Sequence, residues 1–176
     1  MTTVLKYFIG LDPGQATGLA VWDPQREVFA RELLTTTFWE AYELIRTYDP
    51  RTVLIVLEDP SQNRPTFHHN LPQSERAYRQ RERISRNVGS NMREALLLAE
   101  GLSRKGYRVR RVRPRSSKLG ADVFKKVTRY QGRTSEHARD AAMLVFGLRK
   151  APPELPQSLG EATLGLYAPP ERKRKT

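Results

Sequence analysis

Four side chains from three distant segments have the types and positions that could bind a hard metal ion. Asp12 is the last residue of one apolar segment, VLKYFIGLD. Glu58 and Asp59 are the last two residues of another, TVLIVLED. His137 and Asp140 are three residues apart in a predicted helix, so they share one helix face. Carboxylates gathered at the edge of a sheet repel each other unless a cation neutralises them, and Mg²⁺ prefers oxygen ligands. Two such ions can activate a water molecule and stabilise the leaving oxygen of a phosphodiester.

Each of these residues also has a plainer interpretation. Asp12 precedes a Pro-Gly pair and is therefore typical of a turn, and Glu58 with Asp59 is compatible with a polar strand exit. His137 is compatible with a solvent-exposed position, and Asp140 with an ion pair to a neighbouring arginine. The order of these residues along the chain favours a shared site. Two acids each end a strand, and a histidine and an acid then follow on a late helix.

The hydrophobic pattern predicts the strands that would position these residues. Buried strands are predicted at 4–12 and 52–59, and strict alternation predicts another at 107–112. Two more strands, 17–23 and 26–36, flank an Asp-Pro-Gln turn and predict an antiparallel hairpin with the first strand. The fold class expected is therefore α/β, with a mixed five-stranded sheet and helices on both faces.

Helices are predicted at 38–48, at 75–105, within 116–130, and from an N-cap at Thr134 or Ser135 onward. The long helix has apolar residues at three- and four-residue spacing, which predicts a stripe that packs on the core. That stripe consists of Ile84, Val88, Met92, Ala95, Ala99 and Leu102.

The 176 residues are enough for one compact domain, expected at 1–150, and the absence of cysteine excludes disulfides and thiolate metal sites. The segment 151–176 has five prolines and ends in ERKRKT, which predicts a flexible basic tail. No apolar segment approaches the roughly 20 residues that a membrane span requires. We therefore expect a cytoplasmic protein with no membrane partner. We also expect no organic cofactor.

Positive charge is concentrated in one part of the chain. The net charge is +12, and the segment 76–118 holds 14 lysines and arginines against three acids. Such a surface attracts polyanions, and arginine, which dominates here, binds phosphate in bidentate fashion. A solvated helix face is the alternative. The charge pattern favours nucleic acid as the partner.

The motifs together resemble the RuvC family of Holliday-junction resolvases, which belongs to the RNase H-like superfamily. The resemblance covers most of residues 4–149 and rests on FIGLDPGQATGLAVWD (8–23), VLIVLED (53–59), NVGSNMREALLLAEGL (87–102), RVRPRSSK (111–118) and HARDAAMLVFG (137–147). It implies an RNase H-like fold and a metal-dependent endodeoxyribonuclease that resolves four-way junctions. It also implies a catalytic, metal-binding set of Asp12, Glu58, His137 and Asp140, with two Mg²⁺ or Mn²⁺ ions per site.

The resemblance further implies a homodimer with the long helix in its interface, and an aromatic wedge in the loop after the fourth strand. The basic residue near the scissile phosphate is expected to be Lys118, with Lys125 and Lys126 as alternatives, because the stretch before the last helix is shorter than in the family. The residues expected to contact nucleic acid are Phe67, His68, His69, Arg76, Arg79, Arg83, Arg86, Arg115 and Lys118.

Three other functions are compatible with parts of the pattern. A structured-RNA-processing nuclease of the same fold needs the same acids and the same basic surface. An actin-like ATPase shares the Asp-x-Gly segment but needs a second domain, for which this chain is too short. A non-catalytic nucleic-acid-binding protein gains nothing from clustered acids that repel phosphate.

Overall fold

The computed structural model describes residues 4–62, 74–114 and 117–150. The predicted wedge residue Phe67, its neighbours His68 and His69, the predicted contact Arg115 and the predicted tail 151–176 lie outside the described residues.

One mixed, open sheet forms the centre of the described chain. Its strands are β1 (Tyr7–Asp12), β2 (Thr17–Asp23), β3 (Val28–Phe29), β4 (Leu34–Thr36), β5 (Val53–Glu58) and β6 (Arg108–Val112). The spatial order is β3-β2-β1-β5-β6, and β4 also pairs with β2. Strands β1 and β2 are antiparallel, whereas β1, β5 and β6 run parallel. The predicted mixed α/β sheet with an initial antiparallel hairpin is thus confirmed.

The prediction of five strands is wrong, because the described residues form six. The predicted strand 26–36 is interrupted: β3 pairs with one end of β2 and β4 with the other. Between them Leu33 turns into the core, where it is 7% exposed, and its amide donates to the hydroxyl of Tyr130. Burying this leucine takes the chain out of the ladder and divides one edge strand into two.

Four helices occur in the described ranges: α1 (Phe38–Ile45), α2 (Glu75–Arg104), α3 (Ala121–Thr128) and α4 (Glu136–Val145). A capping box of Thr37 and Glu40 begins α1. Ser135, as predicted, caps α4 by accepting from the amide of Ala138. None of the helices in these ranges has both the length and the apolar character needed to cross a bilayer.

The helices pack on both faces of the sheet, which confirms that prediction. Helices α1 and α2 cover one face, where Ile9, Leu11, Ile55, Leu98 and Leu102 are fully buried. Helices α3 and α4 cover the other face, where Phe8, Leu54, Phe124, Ala141 and Val145 are fully buried. Side chains alternate between the two faces along each strand. Whether a residue of β1 or β5 has an odd or an even number therefore decides which face its side chain lies on.

Among the α2 residues whose burial is described, the fully buried ones lie in the C-terminal part of the helix. Ala95, Ala99 and Leu102 of the predicted stripe are fully buried, whereas Val88 is 45% exposed. Every residue from 85 to 90 is exposed. The expectation that Val88 belongs to the core is wrong, because α2 extends beyond the sheet that its C-terminal half covers.

Candidate functional site

Asp12 and Glu58 lie at the ends of two neighbouring parallel strands and on the same face of the sheet. Gly10 of β1 pairs with Val56 of β5, and Val56 packs in the core under α4. Asp12 and Glu58 are each two residues further along, so the alternation of side chains points both toward the α4 face. Parallel pairing therefore brings two acids 46 residues apart to one edge of the sheet.

Glycines in β1 and β2 allow α4 to lie directly on that edge. A Cβ added at Gly10 would overlap the carbonyl oxygen of Ala141, and one added at Gly18 would overlap that of His137. Gly18 is the register partner of Asp12. The helix backbone thus touches the sheet beside Asp12, and this close approach carries His137 and Asp140 to the strand ends.

Asp12 and His137 form a direct contact across 125 residues of sequence. Nδ1 of His137 lies 2.8 Å from Oδ2 of Asp12. Asp12 is buried, with 7% of its surface exposed. Burial raises the pKa of Asp12; the hydrogen bond and charge of His137 oppose this effect, and the charge of Asp140 adds to it. Burial, and not the like charge of Asp140, is the main cause of the raised pKa of Asp12.

Asp140 faces a cleft that it shares with Glu58 and Lys118, lined also by Ser117, Leu119 and Met143. The ammonium Nζ of Lys118 lies 2.8 Å from Oδ2 of Asp140 and 2.8 Å from Oε1 of Glu136. Burial alone would lower the pKa of Lys118, but the hydrogen bonds and charges of Asp140 and Glu136 outweigh it and raise that pKa. Of the three candidate lysines, Lys118 is the one beside the acids, whereas Lys125 and Lys126 lie on α3.

Asp59 lies on the opposite face from Glu58. It is fully buried, with Oδ2 3.3 Å from Nε of Arg111 and Oδ1 accepting from the amide of Ser61. Its backbone amide continues the pairing with β6 by donating to the carbonyl oxygen of Val112. Asp59 therefore anchors the chain at the exit of β5, and Glu58 is the strand-end acid that faces the cleft.

The four predicted residues thus meet at one rim, as a contacting Asp12–His137 pair and as Glu58 and Asp140 in the adjoining cleft. Among the described residues, no three acids or histidines form a group with metal-binding geometry. The donor types nevertheless suit a hard divalent ion: three carboxylates and one imidazole lie at this rim, and the carboxylate of Asp140 already contacts a cation, the ammonium of Lys118.

Three residues that build the site escaped the sequence analysis. Glu136 precedes Asp140 by four residues, a spacing that puts both acids on one helix face and could have indicated a shared partner. Gly10 and Gly18 sit inside strand patterns, where an isolated glycine signals a close backbone approach. Neither signal identifies the partner, which comes from a different segment.

The predicted phosphate-binding arginines lie on the exposed N-terminal half of α2. Arg79 pairs with Glu75 and Arg86 with Glu82, each one helical turn away. Ion pairs this exposed contribute little to stability. The arginines themselves are exposed, so this half of α2 presents a basic surface to solvent.

Comparison with protein-family models and with curated protein sequences finds no match to this chain.

Proposed function

We propose that this protein is a metal-dependent endonuclease of the RuvC type, with an RNase H-like fold, that cuts four-way DNA junctions. The observation that carries the proposal is the meeting of Asp12, Glu58, His137 and Asp140 at one rim of the sheet. Two strand ends and one helix supply these residues. Acids brought together from such distant segments need a cation to offset their repulsion, and a nuclease uses that cation on phosphate.

In this proposal Asp12, Glu58, His137 and Asp140 hold Mg²⁺ or Mn²⁺, two ions per site, which when bound supply Lewis-acid activation of the attacking water. The protein's own part is positioning. His137 fixes the carboxylate of Asp12 through a 2.8 Å contact. Close packing of α4 on Gly18 holds the side chains of His137 and Asp140 in place. The ammonium of Lys118 adds positive charge beside the cleft, where the scissile phosphate would lie.

Substrate binding is assigned to the basic half of α2. Its exposed arginines suit contacts to backbone phosphates, which orient DNA without reading its sequence. A homodimer in which two such helices flank two sites would match the two cuts that a four-way junction requires. Branched DNA is therefore the proposed substrate, with Phe67 proposed to stack on unpaired bases at the junction centre.

The test is cleavage of labelled four-way junction, duplex, single-stranded DNA and hairpin RNA, with Mg²⁺ and with EDTA. We expect Mg²⁺-dependent cuts in the junction, and a loss of at least about 100-fold in Asp140→Asn with junction binding retained. Lys126→Met, a charge change on α3, is the control and should cut at close to the wild-type rate.

Three outcomes contradict the proposal. Near wild-type cutting by Asp140→Asn would remove the catalytic assignment. Preferential cutting of hairpin RNA would replace DNA with RNA as the substrate. Tight junction binding without cleavage in any metal would indicate a nucleic-acid-binding protein that is not an enzyme.

A further inference from the structure

Lys118 is held between two acids of the same helix. Glu136 and Asp140 are four residues apart on α4 and therefore share a face. Nζ of Lys118 lies 2.8 Å from a carboxylate oxygen of each. The lysine reaches them from the segment that precedes α3, 18 residues before Glu136. One ammonium thus bridges the first two turns of the helix that carries His137 and Asp140.

The two acids differ in how much they need this cation. The side chain of Asp140 is 10% exposed, whereas that of Glu136 is 59% exposed and well hydrated. Asp140 also interacts electrostatically with Asp12. A carboxylate with little access to water, beside another carboxylate, is unfavourable unless a positive charge lies close to it. Lys118 supplies that charge to Asp140.

A divalent ion on Asp140 would compete with the lysine for the same oxygen. Oδ2, the atom that lies 2.8 Å from Nζ, is buried from solvent. The ammonium of Lys118 lies against this oxygen, so a cation that approaches the same oxygen meets the positive charge of Nζ. Two cations a few ångströms apart in a partly buried site repel strongly.

We propose that Lys118 is a resident cation of this site that competes with the divalent metal for Asp140, and that Glu136 is the positioning residue that holds it there. The inference rests on the proposed metal binding at Asp140. It assigns Glu136 a role opposite to that of an ordinary nearby acid. A nearby acid attracts a metal ion, whereas Glu136 opposes metal binding by keeping the competing ammonium in place.

The test measures Mn²⁺ binding by calorimetry, without DNA, in the full chain. The variants are Lys118→Met, Glu136→Gln, their combination, and Lys126→Met as the matched charge control. Lys118→Met should bind Mn²⁺ about three- to tenfold more tightly, as expected for removing a half-exposed competing charge. Lys126→Met should change the affinity by less than about twofold.

The change in Mn²⁺ affinity caused by Glu136→Gln shows whether Glu136 acts by holding Lys118 or only through its own negative charge. In the Lys118→Met background, Glu136→Gln only removes negative charge and should weaken Mn²⁺ binding. In the wild-type background it also releases the competitor, so binding should weaken less or become tighter. The double-mutant cycle should therefore show coupling between the two residues. In parallel, the ε-carbon NMR signal of Lys118 should shift when Mg²⁺ is added.

Equal Mn²⁺ affinity of wild type and Lys118→Met would overturn this inference and leave the proposed nuclease intact. So would an identical effect of Glu136→Gln in both backgrounds. Absence of Mn²⁺ binding by the wild type would overturn both this inference and the metal-dependent function.

Discussion

Replacing Gly18 with alanine tests whether the contact between α4 and the sheet builds the site. The added Cβ would overlap the carbonyl oxygen of His137 and lie 3.1 Å from the amide nitrogen of Ala138. Both are backbone atoms of a helix, so no side-chain rotation relieves the overlap. Either α4 moves outward or β2 distorts.

The stability cost follows from overpacking at a point where only backbone can yield. Inserting a methyl group into a packed region typically costs about 1–3 kcal/mol, and we expect the upper end here because the helix must move as a unit. For a domain of about 150 residues, a loss of about 3 kcal/mol corresponds to a fall in Tm of roughly 6–12 °C. Cleavage should fall further, by about 100-fold, because the same shift separates His137 from Asp12.

Urea unfolding and junction cleavage of Gly18→Ala measure the two effects, and Gly89→Ala is the control for unfolding. Gly89 lies in the exposed part of α2, where an added Cβ meets nothing within 4 Å. Alanine is the better helix former, so this variant should gain about 0.5–1 kcal/mol. Wild-type stability and activity in Gly18→Ala would refute the close packing of α4 that underlies the site.

Three further predictions concern the acids and the basic helix. Glu58→Gln should abolish cleavage and cost less stability than Asp59→Asn, which should cost roughly 3 kcal/mol because it leaves Arg111 without its charged partner; the reverse pattern would exchange their roles. In EDTA at neutral pH, Asp12→Asn should unfold no earlier than wild type, because burial raises the pKa of Asp12 and its ionised form costs stability above that pKa. This difference should vanish as the pH falls and Asp12 becomes protonated; a clearly lower Tm of the variant at neutral pH would contradict it. Arg76→Gln with Arg83→Gln should lower the slope of log affinity against log salt by roughly 0.9 for each phosphate interaction that the change removes, and weaker binding at an unchanged slope would mean a structural role.

The sequence predicts the sheet and the strand-end acids well because both depend on local patterns. Apolar runs mark β1 and β5, and an acid at the end of each run is visible without any tertiary information. Parallel pairing then brings the two ends together. The spacing of His137 and Asp140 on one helix face is likewise a property of the helix alone.

What the sequence did not predict depends on where an element ends relative to its neighbours. The apolar stripe of α2 includes Val88, but the sheet beneath does not extend that far, so Val88 is exposed. The strand 26–36 has a continuous pattern, yet Leu33 is buried in the core instead of pairing in the ladder. In both cases a neighbouring surface overrides a periodic pattern.

Adjacent acids at the end of β5 show how tertiary position determines the role of a residue. Glu58 and Asp59 are equivalent as a sequence pair, but alternation along the strand sends them to opposite faces. The face under α4 brings Glu58 to the cleft with Asp140 and Lys118, and the other face brings Asp59 to Arg111. A one-residue shift in the pairing of β5 would exchange these environments. The close contact of α4 at Gly18 gives the first face its proposed catalytic groups, so the site depends on register and helix packing as much as on the acids themselves.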